Sequence, residues 1–327
     1  MSLTNTPSAR LSRAIPSARA CSTALLLAFL ATSSPAAESP DSGRLLLWEI
    51  KSPTATAYVI GSLHVTDASI YPLDSAVTDA FNKADTLVLE MDMNPDTVTK
   101  ARNLMMQSGL YPAGETLEGS LSKDAYAKLT AYLSERGMKP AMFSQMRPWF
   151  VTTMLTALEL QRLGFSPDSG LDMSFLKLAA AKGTRVIGLE TPEEQVETMS
   201  GALSTVQEKE LVDFVTEEAG DKMKAICEEL IDAWRSGDPD RVQTVIDREF
   251  SDDPALKDYQ AKLLDDRSVR MAERLRGILK GQGTYFVCVG SGHVVGRNGI
   301  PTLLDHDFEV TQLEKAGAPE KPQPAAN

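Results

Sequence analysis

The sequence predicts an α/β protein with a mixed central sheet flanked by helices, and a mostly helical insertion or cap over about residues 95–165. Three observations carry this reading. Short apolar runs such as TLVLEM (86–91), TRVIGLE (184–190) and TYFVCVG (284–290) alternate with helical stretches, as buried strands joined by helical crossovers do. LLLWEI (45–50) and TAYVIGSLHV (56–65) are separated only by KSPTA, whose Ser52-Pro53 marks a turn, so an antiparallel hairpin joins the sheet. Residues 95–165 instead hold Met- and Leu-rich helical stretches broken by YPAGETLEGSL and RGMKPAMF.

Taken in order, the N-terminus comes first. Residues 1–20 carry Arg10, Arg13 and Arg19 and no acid. ALLLAFLA (24–31) follows, and then the small residues around Ser34-Pro35-Ala36. Basic region, short apolar core and small-residue cleavage site make a signal peptide over 1–36. Its apolar core is shorter than the ~20 residues that a stable span needs, so no membrane span is expected after cleavage, and the mature protein is expected to be periplasmic or secreted. Residues 37–44 form a polar entry. Pro72 opens a helix to about Lys83, with Val77, Ala80 and Phe81 on one face. The last helix of the cap, 148–163, is apolar on most sides and is expected to be buried. A helix over 170–182 leads to the strand 184–190. Thr191, Pro192 and the acids after them then read as the start of the next helix. Residues 203–279 are helical and strongly charged. A short helix near 300–304 and a strand over 308–313 close an α/β domain of 44–314, and 315–327 is a Pro/Ala-rich disordered tail.

The bulk numbers narrow the function. The chain has 327 residues, 43% hydrophobic and 24% charged, which suffices for a large core without staples. Its net charge is −12, moving to about −15 once residues 1–36 and their arginines are gone. An acidic protein of this kind is not expected to bind nucleic acid or anionic lipid through a basic surface. Cys227 and Cys288 remain after cleavage. They form no disulfide framework, and a single bridge between them stays open.

The chain has only 3 histidines, and two share one context: an apolar strand, a glycine, two residues, a histidine. IGSLH ends in His64 and VGSGH in His293. A strand followed by glycine places a side chain at the C-terminal edge of a sheet, where open α/β folds bind ligands. Imidazole is a good ligand for divalent transition metals. His306, in LLDHDFE, lacks this context and reads as a surface residue. Glu90 and Glu190 each close an apolar strand, and a buried carboxylate there needs a cation or an arginine as partner. Strands ending in His, Glu, Glu and His would converge if they are neighbours. They would then form an open site for Zn²⁺, Mn²⁺ or Co²⁺. Arg147, before the buried helix, could hold an oxyanion or an acid. Asp172 reads first as a helix-start acid, and Asp266-Arg267 as a solvated pair. No Walker loop, GxGxxG, GxSxG, HExxH or CxxC pair is present, so nucleotide-binding, serine-hydrolase and zincin readings lack their signals.

LLWEI, YVIGSLHV, Tyr71-Pro72-Leu73, TLVLEMD, MRPW, GLDMSFL, VIGLETPEEQ, LLDDRSVRMAERL and TYFVCVGSGHVVG occur in this order. Together, over about Leu45 to Leu313, they resemble the TraB/GumN family, which includes the Tiki proteases. The resemblance implies an α/β fold with two Gly-x-x-His motifs, and the metal-dependent peptidase activity of the Tiki branch. Other relatives are erythromycin-esterase-like or bind haem, so fold alone does not decide the chemistry. By motif match His64 and His293 take the two histidine positions and Glu90 the acid after the first. Arg147, Asp172, Glu190 and Arg267 match the other polar positions. Where the family usually shows Asp-Arg-Asn, this chain has Asp266-Arg267-Ser268.

The expectation is a metal-dependent hydrolase, a peptidase acting on a peptide or small-molecule substrate. His64, Glu90 and His293 would hold the metal. Glu190 would be a further ligand or the general base, and Arg147 or Arg267 would steady the oxyanion. The rival expectations are a non-catalytic binder of haem, metal or a short peptide, and an accessory factor in polysaccharide export.

Overall fold

The computed structural model describes residues 41–216, 219–249 and 254–317. The expected signal peptide lies outside the described residues, as does the expected tail beyond 317. One sheet organises the molecule: β1 (Arg44–Lys51), β2 (Ala55–Ser62), β3 (Thr86–Met91), β4 (Arg185–Glu190), β5 (Gly283–Gly290) and β6 (Glu309–Glu314). The spatial order is β4-β3-β5-β2-β1-β6. The first four in that order run parallel, and β1 is antiparallel to both β2 and β6. The sheet is therefore mixed, and the expected hairpin is β1–β2.

Each strand's composition matches its place. β2, β3 and β5 are central and parallel, covered on both faces, and read as nearly unbroken apolar runs. Edge strand β6 carries Glu309, Thr311 and Glu314, and its burial alternates. On one face, helices Ser75–Lys83 and Leu171–Lys182 bury Phe81 and Phe175 against Phe286 of β5, with ring centroids 4.5–5.4 Å apart. Helices Ala219–Ser236, Asp265–Leu279 and Ile300–Leu304 cover the other face.

Several boundaries differ from expectation. The helix expected from Pro72 begins at Ser75, because the Asp74 carboxylate accepts from the Ala76 amide and caps it there. The cap contains helices Pro95–Gly109, Lys123–Glu135 and Pro148–Arg162, but it also takes in Ser204–Thr216, which packs on the last two. Lys315 and Ala316, assigned to a disordered tail, are fastened: Lys315 pairs with Asp41 at 2.6 Å, and the Ala316 amide donates to Asp74. Cys227 and Cys288 are both buried and no disulfide joins them. His306 is exposed. No described helix is long and apolar enough to cross a membrane.

The helix Pro192–Ser200 starts on a capping box: the Thr191 hydroxyl accepts from the Glu194 amide, and the Glu194 carboxylate accepts from the Thr191 amide. Arg274 donates to the same carboxylate and, with help from the Thr191 amide, holds its pKa down to about 2. A depressed carboxylate stabilises the fold above its unfolded value near 4.5, and loses that contribution as pH falls toward 2. Glu194→Gln is expected to cost about 1 kcal/mol at pH 7, a figure kept small by the partial exposure of the ion pair. Urea melts should show the gap between variant and wild type narrowing from pH 4.5 downward; a constant gap would remove the ion pair from the account.

Candidate active site

The four parallel strands end side by side, and each end delivers a polar side chain. Glu190 is the last residue of β4, and Glu90 the penultimate residue of β3. β5 runs into a 3-10 turn, Ser291–His293, and His64 lies two residues beyond β2. The two Gly-x-x-His segments are neighbours in register, with Ser62 opposite Gly290. The Ser291 hydroxyl donates to the Ser62 carbonyl at 2.9 Å and ties them together.

At the mouth, Asp172 meets His64. The helix Leu171–Lys182 begins hard against the His64 backbone: a Cβ at Gly170 would stand 2.3 Å from the His64 carbonyl oxygen. That close approach puts the first-turn Asp172 beside the ring, with Asp172 Oδ1 3.2 Å from His64 Nδ1 and accepting from the Ser62 hydroxyl at 3.0 Å. The other ring nitrogen, His64 Nε2, is 3.2 Å from Glu90 Oε1. Burial alone would lower the His64 pKa, but the carboxylates of Glu90 and Asp172 outweigh it and hold it well above the ordinary value. Both ring nitrogens of His64 thus face a carboxylate oxygen at 3.2 Å.

Glu90 is the hub. Its Oε1 accepts from the Gly290 amide at 2.7 Å, and its Oε2 from Arg267 Nη2 at 2.6 Å. Burial would raise its pKa, yet Arg267 and His64 hold it well below the carboxylate range. Gly290 is required here: a Cβ would sit 2.8 Å from His64 Nε2 and 3.1 Å from Glu90 Oε1. Gly290→Ala is expected to displace the His64 ring and cost ~1–3 kcal/mol by overpacking. Urea denaturation of the variant would check this, and a midpoint equal to that of wild type would show that the ring can yield without harm.

Arg267 corrects the solvated reading. It is 3% exposed and bridges Glu90 to Glu190, donating to Glu190 from Nε at 3.0 and 3.1 Å and from Nη2 at 2.6 Å. Glu190 also accepts from Gln195 at 3.3 Å, and Arg270 stands 3.7 Å away. Its carboxylate, expected to be a ligand or a base, is taken up by these donors. The polar chain alternates in sign from Asp172 through His64, Glu90, Arg267 and Glu190 to Arg270.

His293 is 1% exposed, and burial pushes its pKa down to about 3, so its ring is neutral. Nδ1 lies 2.9 Å from the Ser268 hydroxyl, while Nε2 faces Glu90 Oε1 at 3.7 Å and has no hydrogen-bond partner among the described residues. Arg147 lies apart: its guanidinium stacks on Tyr111 at 4.5 Å, and no hydrogen bond or ion pair joins it to the cluster.

Sequence reasoning gives Ser62 and Ser291 no role, and names Ser268 only as the residue that stands where the family usually shows Asn. A signal for two of them was present, since both motifs read Gly-Ser-x-His.

Among the described residues no group of three or more His, Cys, Asp or Glu side chains stands converged as a ready cage for an ion. Two separations within the cluster are nevertheless compatible with donors that share an ion. Two donors each about 2.1 Å from a common ion at a tetrahedral angle stand about 3.4 Å apart. The separations about Glu90 Oε1 are 3.2 and 3.7 Å, and the buried Nε2 of His293 has no other partner.

A mixed α/β sheet with a histidine–carboxylate cluster at the C-terminal ends of its four parallel strands defines the class of protein. The TraB/PrgY/gumN family model matches residues 46–312, and the chain belongs to that family. It is similar to the uncharacterized protein YbaP of Shigella flexneri, 26% identical over 251 residues that cover 76% of this chain and 87% of that protein. The YbaP of Escherichia coli (strain K12) is likewise 26% identical over 250 residues, covering 76% and 87%. An uncharacterized protein of Treponema pallidum (strain Nichols) is 22% identical over 270 residues, covering 79% and 80%. No solved structure matches.

Proposed function

We propose that the chain is an exported metal-dependent hydrolase, a peptidase acting on peptide or peptide-like substrates. His64 Nε2, His293 Nε2 and Glu90 Oε1 would hold one Zn²⁺, Mn²⁺ or Co²⁺. The observation that carries this is the orphaned Nε2 of His293, a buried neutral nitrogen turned toward the same carboxylate oxygen that the His64 ring contacts. A buried lone pair in that position calls for a hydrogen-bond donor or a metal ion, and the carboxylate beside it favours the cation. The metal would supply an activated water and polarise a scissile carbonyl.

The chain's own residues do the rest. Asp172 accepts from His64 Nδ1 and so turns Nε2 inward, while Ser62 holds Asp172 in place. Asp172, partly exposed at the mouth, is the carboxylate positioned to take a proton from an entering water. Arg267 keeps Glu90 anionic. Glu190 keeps Arg267 in place rather than acting as the base. Export rests on the basic–apolar–small pattern of residues 1–36.

Elemental analysis of the purified protein tests the site, and a panel of peptides and esters with added Mn²⁺, Co²⁺ or Zn²⁺ tests the reaction. One ion per chain with chelator-sensitive turnover supports the proposal. One ion with no turnover on any substrate makes the protein a binder. Turnover that a chelator leaves untouched overturns the metal mechanism.

A further inference from the structure

Ser268 stands where two proton assignments can be worked out from geometry. It lies in the helix Asp265–Leu279 and is 1% exposed. Its hydroxyl has one proton and two neighbours: the Leu264 carbonyl oxygen at 2.8 Å and His293 Nδ1 at 2.9 Å. A carbonyl oxygen only accepts. If the hydroxyl donates to Leu264, its lone pair must accept from an Nδ1–H. The opposite assignment would have Ser268 donate to Nδ1 and place the ring proton on Nε2. That proton would then point toward Glu90 Oε1 across 3.7 Å, beyond hydrogen-bond reach, and would be buried without an acceptor. The first assignment gives every proton in the group an acceptor, with the Leu264 carbonyl also in reach of the His293 ring, and leaves only the Nε2 lone pair, facing Glu90 Oε1 at 3.7 Å, without a partner among the described residues.

We infer that Ser268 is a positioning residue that holds His293 as the Nδ1–H tautomer, leaving the Nε2 lone pair bare toward Glu90 and His64. The ring orientation agrees, since the 3-10 turn Ser291–His293 follows β5 directly and places the imidazole between the strand edge and this helix. The tautomer is a property of the chain alone. Its consequence for a cation rests on the metal reading proposed above: an imidazole already carrying its proton on the far nitrogen has no tautomer exchange to make before it ligates.

Two readouts separate the inference from that reading. The first is the ¹⁵N spectrum of the histidine rings in the metal-free full chain, where 3 histidines make assignment tractable. Wild type should show His293 protonated at Nδ1 and bare at Nε2. A proton on Nε2 in wild type would overturn the inference, whatever metal the protein binds. The second is Ser268→Ala beside Ser268→Thr, which keeps the hydroxyl. Alanine should leave the fold intact, scramble the His293 tautomer, and weaken Co²⁺ or Zn²⁺ binding ~10–100-fold, as loss of a partner behind a ligating histidine does. Threonine should restore the wild-type tautomer. An alanine variant with the wild-type ring spectrum would also overturn it. A wild type that shows the tautomer but takes up no metal upholds the inference and removes the metal reading alone.

Discussion

Arg267→Ala is expected to destabilise the protein by about 3–5 kcal/mol, the range for removing one partner of a buried ion pair. The melting temperature should fall on the order of 10 °C for a domain of this size. The guanidinium is 3% exposed and neutralises two carboxylates at once, Glu90 at 2.6 Å and Glu190 at 2.6 Å. Alanine leaves both acids buried with like charges and no bridge. Most of the loss is therefore the desolvation of orphaned charge rather than the worth of the pair itself. Two comparisons follow from that. Arg267→Lys keeps the charge but cannot spread donors over two carboxylates, so it should recover only part of the loss. Adding Glu190→Gln to Arg267→Ala removes one orphaned charge and should recover stability relative to Arg267→Ala alone, a coupling that a double-mutant cycle reads directly. Urea denaturation of the set decides it. A loss under 1 kcal/mol for Arg267→Ala would mean that the ion chain contributes little to holding the strand ends together.

How much of this was legible depended on whether a residue's partners are local. The strands could be read because central parallel strands are apolar throughout, and His64 and His293 could be read because a glycine after such a strand marks a ligand-bearing edge. Glu90 and Glu190 followed from their place at strand ends. From its own helix Arg267 reads as solvated, because its charged neighbours Asp265, Asp266 and Arg270 mask the pattern, and only the family resemblance marks it as a site residue. Yet Arg267, Met271, Leu275 and Leu279 recur every four residues and make up one buried helix face. An arginine on that face must find buried carboxylates. Asp172 is a helix-start acid by position. Its contact with His64 depends on how closely Gly170 packs against the His64 carbonyl, a tertiary fact with no local signal. The cap was read as ending near 165 because the strand pattern resumes there. The helix Ser204–Thr216 returns to it from beyond β4, a long-range packing choice that periodicity does not reveal. Glu190 shows the limit in the other direction: its type and place suited a base, but its donors were invisible until Arg267, Gln195 and Arg270 were seen around it.

His293→Ala and His64→Ala are expected to abolish metal binding and to cut any turnover by more than ~10²-fold, while the fold survives. The two differ in what they disturb. His64 is a quarter exposed at the mouth, and its loss frees Asp172 and Glu90 Oε1 to water, so its cost in stability should stay within ~1–2 kcal/mol. His293 is 1% exposed, and its loss opens a small cavity behind Ser268, so its cost should lie at the upper end of that range. In both variants Arg267 still bridges Glu90 and Glu190, which is why the strand ends should hold. The comparison that matters is metal content against melting temperature. If both variants lose the ion but keep a melting temperature within a few degrees of wild type, the histidines are ligands and not structural polar residues. If both keep wild-type metal content, the ion lies elsewhere. If wild type holds no ion at any tested concentration of Zn²⁺, Mn²⁺ or Co²⁺, the orphaned nitrogen of His293 serves some other electrophile, such as a donor on the substrate itself. In that case His293→Ala should weaken substrate binding while a chelator has no effect.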